Sequence, residues 1–190
     1  CEEWPARIAE VALWLMDHQM NMRISEEFGQ YFVRLPLRKS AKIVHGNSLR
    51  IDWEELIPKS DLSYILGNPP FCGSAFQTEE QKKDMKLVYS NVKGAGVLDY
   101  VTAWYVRAAQ YIQNAQIKVG FVSTNSIAQG EQVGILWNEL LNKYKIKIHF
   151  AHKTFRWDNE ARNNAAVHVV IIGFANFDIR NKVKIGRAHV

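Results

Sequence analysis

The apolar positions of this chain change their spacing several times, and each change marks an element. From Trp4 to about Asn21, Ile8, Val11, Ala12, Leu15 and Met16 recur at helical spacing, and Pro5 suits a first turn. That pattern predicts an amphipathic helix. Residues 23–41 hold Gly29, Pro36 and scattered charges, and read as a connection. Lys42 to Gly46 reads as a short strand stopped by glycine, and Leu62 to Gly67 as a second strand. Residues 72–97 are polar and punctuated by glycine, which predicts a long loop with room for a short helix. Asp99 to about Ala115 reads as a helix with Val101, Trp104, Tyr105, Ala108, Tyr111 and Ile112 as its buried stripe. Lys118 to Ser123 is a strand of the buried type. Glu131 to Tyr144 is a third helix, with Val133, Leu136, Trp137, Leu140 and Leu141 on one face. Ile146 to Ala151 alternates as a strand does, residues 153–164 read as a polar loop carrying Phe155 and Trp157, and Val167 to Phe174 is a long apolar strand.

Strands alternating with helices predict an α/β fold with a mostly parallel, doubly wound sheet. The last two strands follow one another without a helix, which predicts an antiparallel strand near the C-terminus. In open α/β sheets ligands bind outside the carboxyl ends of the strands. Asn47, Asn68, Asn125 and the loop after Ala151 are expected at that edge.

Bulk composition narrows the class only slightly. The 190 residues are 47% hydrophobic, enough for one domain with a core and too apolar for a disordered chain. No apolar run approaches the roughly 20 residues that cross a bilayer, and no secretory signal opens the chain. The two cysteines, Cys1 and Cys72, imply no disulfide framework, which fits a cytoplasmic setting. A formal charge of +5 and a pI near 9.2 lean toward a polyanionic partner. The chain opens directly into a helix, so it reads as a fragment lacking the first strand of its sheet. Ile185 to Val190 match the translation of a common sequencing adapter, so the expected division is a partial catalytic domain over 1–184 and a non-native tail over 185–190.

The chemistry concentrates in Asn68-Pro69-Pro70-Phe71, directly after an apolar run. Two consecutive prolines set φ at both positions and remove two backbone donors. Asn68 is pushed toward extended geometry because a proline follows it. The segment can hold an amide oxygen, a bare carbonyl and an aromatic ring in a fixed constellation at a strand end. Such a constellation suits the exocyclic amino group of a flat base. The Asn68 side-chain oxygen and the Pro69 carbonyl would accept from its two hydrogens and localise its lone pair, with Pro70 bracing the turn and Phe71 stacking on the ring.

Other residues read more plainly. Cys72 is separated from the prolines by Phe71 and reads as a half-buried thiol. Ser123-Thr124-Asn125-Ser126 reads as a helix cap. His45, His149, His152 and His168 lack metal-ligand spacing, so no metal is expected. The charge cluster at 79–84 reads as a solvated loop face. Lys153, Arg156 and Arg162 flank the aromatic loop and read equally well as phosphate contacts or as solvated charges.

Asn-Pro-Pro-Phe resembles the motif of amino-group methyltransferases of the Rossmann-like class. Similar turns occur in enzymes that methylate adenine in DNA, guanine in RNA or glutamine in proteins. Trp4-Pro5-Ala6-Arg7-Ile8-Ala9, Trp14-Leu15-Met16-Asp17-His18-Gln19, Gly67 to Phe71, and Asn159-Glu160-Ala161-Arg162 with the following strand resemble the methyltransferase region of MmeI-like (type IIL) restriction-modification proteins. The likeness covers roughly residues 1–184. It implies S-adenosylmethionine as methyl donor, double-stranded DNA as partner, and a bacterial cytoplasmic setting. It also implies N6 methylation of an adenine flipped from the duplex, without a metal. Asn68, Pro69, Pro70 and Phe71 would be the catalytic motif. Asn47 lies where the family places a polar residue, more often Asp, beside the cofactor adenine. Asp99 and Tyr100 open the helix that helps wall the cofactor pocket. Either Phe155 or Trp157 would stack on the base opposite Phe71. The glycine-rich cofactor loop of such enzymes is missing from these residues. The ribose-binding acid is expected upstream of Cys1 unless Glu2 or Glu3 substitutes, so the fragment by itself is expected to be inactive. The alternatives are a methyltransferase for RNA bases or protein glutamine, and a nucleic-acid-binding module that has lost catalysis.

Overall fold

Gly29 ends the first element. It takes the left-handed conformation, φ 63°, that glycine accepts without penalty, and helix α1 (Trp4–Phe28) stops there. The computed structural model describes residues 3–29, 42–157 and 167–185. Its contacts group into two units, Cys1–Ile51 and Asp52–Val190.

In the first unit α1 runs past the expected end to Phe28, and it does not bury an apolar stripe. None of its residues is buried, and Ile8, Val11, Leu15 and Met16 are exposed. The reason is visible in the sequence: Leu13, Met20 and Met22 put further apolar groups on the remaining faces, so no single side is distinguished. The strand expected at 42–46 does not form. A strand exists only through a paired neighbour, and these residues join no sheet. They lead into a turn in which the Asn47 carbonyl accepts from Arg50 N at 2.9 Å and Ile51 N at 3.2 Å.

The second unit is a mixed α/β layer. It contains α2 (Trp53–Leu56), β1 (Tyr64–Gly67), α3 (Glu79–Val88), α4 (Thr102–Tyr111), β2 (Lys118–Thr124), α5 (Gln132–Asn138), β3 (Lys147–Trp157), β4 (Val167–Ala175) and β5 (Val183–Ile185). Spatial order in the sheet is β1-β2-β4-β3-β5. β1 is parallel to β2, β5 is parallel to β3, and β4 is antiparallel to both of its neighbours. Among the described strands four therefore share one direction and β4 alone is reversed, as the missing helix between the last long strands suggests.

α4 covers one face of the sheet. Tyr105 stacks on Phe174 at 5.6 Å and meets Phe121 edge-on at 5.3 Å and Trp137 of α5 at 6.3 Å. Burial of each such ring contributes roughly 1.5–3 kcal/mol, so this cluster fixes the helix layer on β2 and β4. The Tyr105 hydroxyl bonds Ser123 at 2.6 Å, and burial pushes its phenol well above the ordinary range. α5 continues as a π turn over Glu139–Lys143, where Lys143 pairs with the largely buried Glu139.

Several boundaries differ from the sequence reading. The 72–97 stretch contains a well-formed helix, α3, opened by a capping box in which Thr78 and Gln81 satisfy each other's backbone N–H. β3 extends to Trp157, so Phe155 and Trp157 lie in a strand and not in a loop. The ladder with β4 continues past two irregularities in register, between Ile148 and Phe150 and between His152 and Phe155, which an alternation test cannot follow. Ile185 closes β5, opposite His152. Of the expected non-native tail, 185–190, residues 186–190 lie outside the described residues, as do Glu2, Asn159, Glu160, Ala161 and Arg162.

Candidate active site

Because β1, β2 and β3 share a direction, their carboxyl ends emerge on one edge of the sheet. Asn68 follows β1, Asn125 follows β2, and Trp157 closes β3. One row across the sheet is Gly67, Phe121, Ile172 and Ala151, and a later row is Thr124, Val169 and Phe155. Phe155 thus sits about 10 Å further along the strands than Gly67, and about 14 Å across them.

Close packing positions the start of the motif. A side chain on Gly67 would lie 3.1–3.2 Å from the ring of Phe121. Glycine lets that buried ring press against the end of β1, where a methyl group would force the ring to give by a few tenths of an ångström. Pro69 is buried, Asn68 and Pro70 are exposed, and Phe71 is half-buried. The turn thus rests on its first proline and presents the amide outward.

The far side of the motif is clamped by hydrogen bonds. Tyr100 N donates to the Cys72 carbonyl at 2.9 Å. Ser74 N donates to Asp99 Oδ1 at 3.0 Å, and Gln77 Nε2 donates to the Leu98 carbonyl at 2.9 Å. Asp99 is the centre of this network and is buried. Its Oδ2 accepts from Ser126 Oγ at 2.6 Å, and its own N–H donates to Gln132 Oε1 at 2.9 Å. Ser126 Oγ also bonds Thr124 Oγ1 at 2.8 Å, at the end of β2. Tyr100 donates from its hydroxyl to the buried Asp84 at 2.6 Å and so ties α3 to the same segment.

The structure therefore sets Asp99 against Ser74, in the loop that directly follows Asn68 to Phe71, and it groups Phe155 with Trp157, whose rings lie 6.2 Å apart. Asn47 belongs to the first unit, where its side-chain oxygen accepts from Leu49 N at 3.0 Å. Ser126 corrects an expectation. The short 3-10 helix Asn125–Ala128 has no side-chain cap, and the hydroxyl turns to Asp99 instead. Ser74, Gln77, Ser126 and Gln132 were not foreseen as site residues. The only hint was a run of small polar residues directly after a strand. Cys72 is half-buried, with Gly73 O and Gln81 Oε1 each 3.7 Å from its sulfur. Among the described residues no three His, Cys, Asp or Glu side chains gather into a metal site, and no helix is long and apolar enough to cross a membrane.

Residues 1–185 match the family described as MmeI, DNA-methyltransferase domain, and the chain belongs to that family. It is similar to the type IIL restriction-modification enzyme MmeI, solved in complex with DNA, at 55% identity and a TM-score of 0.89, over 98% of this chain and 25% of that one. It is also 45% identical over 183 residues to DNA methyltransferase A of Bacillus subtilis (strain 168), covering 94% of this chain and 21% of that protein. The chain thus spans a fifth to a quarter of the length of these relatives.

Proposed function

We propose that this chain is the base-binding and catalytic part of an adenine-specific DNA methyltransferase within a restriction-modification protein, built on a Rossmann-like doubly wound sheet and acting in the bacterial cytoplasm. The observation that carries the reading is the Asn68–Phe71 turn at the end of β1, packed on Phe121 before it and hydrogen-bonded behind it, in a chain of this family.

S-adenosylmethionine, when bound, would supply a methyl group on a good leaving group. The described residues fit that cofactor only in part. The Asn47 side-chain oxygen and both Asp99 oxygens are already engaged by donors of the chain itself. The helix that Asp99 and Tyr100 open would help wall the pocket, with the Asp99 carboxylate turned to the chain itself and the remaining ligands drawn from the longer protein.

This chain's own contribution is positioning. Asn68 Oδ1 and the Pro69 carbonyl would accept the two N6 hydrogens of a flipped adenine and raise the electron density on nitrogen. Phe71 would stack on the base, and either Phe155 or Trp157 would face it from the other side. Fixing the amino group in line for transfer is worth several kcal/mol of barrier, about 7–11 in well-oriented reactions. No covalent enzyme intermediate and no metal is required.

The test uses the full-length parent protein with any nuclease inactivated, expressed in a methylation-free host whose DNA is then sequenced for modified bases. N6-methyladenine within one recurring sequence is expected. DNA without it overturns the reading.

A further inference from the structure

We propose that Asp99 is a positioning residue that ties the loop behind the Asn-Pro-Pro-Phe turn to the carboxyl end of β2. This rests on the methylation reading above only for its catalytic consequence. The brace itself follows from geometry.

Asp99 joins three segments at once. One oxygen holds the backbone of Ser74, 25 residues away, and the other holds Ser126, 27 residues away. Its amide holds Gln132, 33 residues away. The Asp99 carbonyl is occupied as well, accepting from Thr102 N at 3.0 Å and Thr102 Oγ1 at 2.7 Å. The flanking residues add the Tyr100–Cys72 and Gln77–Leu98 bonds. The motif thus lies between two anchors, the β1–β2 ladder at Gly67 and this clamp at 72–77. Two prolines stiffen the turn internally but cannot set where it sits against β2. The Asp99 carboxylate does that, because Ser126 lies two residues past the end of β2.

The role depends on hydrogen bonding and not on charge. An asparagine could accept from Ser74 N with Oδ1 and donate from Nδ2 to Ser126 Oγ, whose own hydrogen would then be free to turn to Thr124 Oγ1. An alanine could do neither.

Hydrogen exchange of the full-length protein, without substrate or cofactor, reads the brace directly. Asp99→Ala should speed exchange in peptides covering 68–77 and 124–128 by roughly tenfold or more, and Asp99→Asn should stay within about threefold of wild type. In methylation assays Asp99→Ala should lower kcat by roughly 100-fold with the KM for S-adenosylmethionine within about threefold, and Asp99→Asn should recover most of kcat. Ser126→Ala removes one bond and should give a smaller rise in exchange over 68–77. It covers the case in which Asp99→Ala does not fold. Unchanged exchange in Ser126→Ala and Asp99→Ala overturns the brace. So does a raised KM with normal protection of 68–77, which would make Asp99 a cofactor contact. A wild-type protein that makes no methyladenine, but whose Asp99 and Ser126 variants show this exchange pattern, would sink the methylation reading and leave the brace standing.

Discussion

The ends of β1 and β3 emerge on the same edge of the sheet and are held in different ways. At the end of β1, Asn68 to Phe71 is stiffened by two prolines and pinned on both sides, by the packing of Gly67 on Phe121 and by the bonds from Ser74 and Cys72 to residues 99–100. At the end of β3, Phe155 and Trp157 are carried by the strand ladder itself, opposite Val169 and Val167 of β4. Their rings meet each other, and Phe155 also meets His152 edge-on. Under the proposed roles the contrast follows the demands of the two tasks. Hydrogen-bond acceptors lose their effect within a few tenths of an ångström and a few tens of degrees. Aromatic stacking tolerates sliding. A ladder suffices for a stacking ring, whereas an acceptor pair needs covalent stiffness and a clamp.

The comparison breaks most sharply at Asn68. Asn68→Ala in the full-length protein should cut methylation by about 100–1,000-fold while leaving the melting temperature unchanged, because the side chain is exposed. A variant that stays active would remove the acceptor role from the β1 end. Next come the aromatics. Phe71→Ala should weaken capture of a flipped base by roughly tenfold or more, at about 1–3 kcal/mol per stacked base. It is read as fluorescence of 2-aminopurine placed at the target. Of Phe155→Ala and Trp157→Ala, one should show a loss of the same order and the other should be nearly silent. Silence in both would strip the β3 end of its role.

A smaller effect belongs to the seat of the turn. Gly67→Ala forces a methyl group against Phe121 and should cost about 1–3 kcal/mol in urea unfolding, with kcat falling alongside as Asn68 shifts. If stability drops and kcat holds, the acceptor is less sensitive to position than the contrast requires. The smallest is a control away from both ends. Tyr105→Phe deletes the bond to Ser123 and should cost about 1 kcal/mol of stability with kcat unchanged.

Much of the fold was legible from spacing. β1, β2 and β4 and helices α4 and α5 lie within a few residues of their expected places, because their apolar positions repeat with the period of the element that buries them. The reading failed where a period was broken or had no partner. β3 continues through two register irregularities, so Phe155 and Trp157 were assigned to a loop. Lys42 to Gly46 had the composition of a strand but no strand to pair with among the described residues. The apolar residues of α1 matched a helical stripe only because those on its other faces were left out of the count.

The sequence by itself determined the Asn-Pro-Pro-Phe turn, its place after a strand, and the reversed strand near the end. Proline restricts torsions covalently and a missing helix restricts topology, and both act over a few residues. The tertiary structure alone decided that β4 lies between β2 and β3, and that Asp99 gathers Ser74, Ser126 and Gln132 around the motif. Those bonds span 25 to 33 residues. They depend on how the layers pack and not on any local pattern, since a polar residue looks the same in sequence whether it meets water or a buried carboxylate.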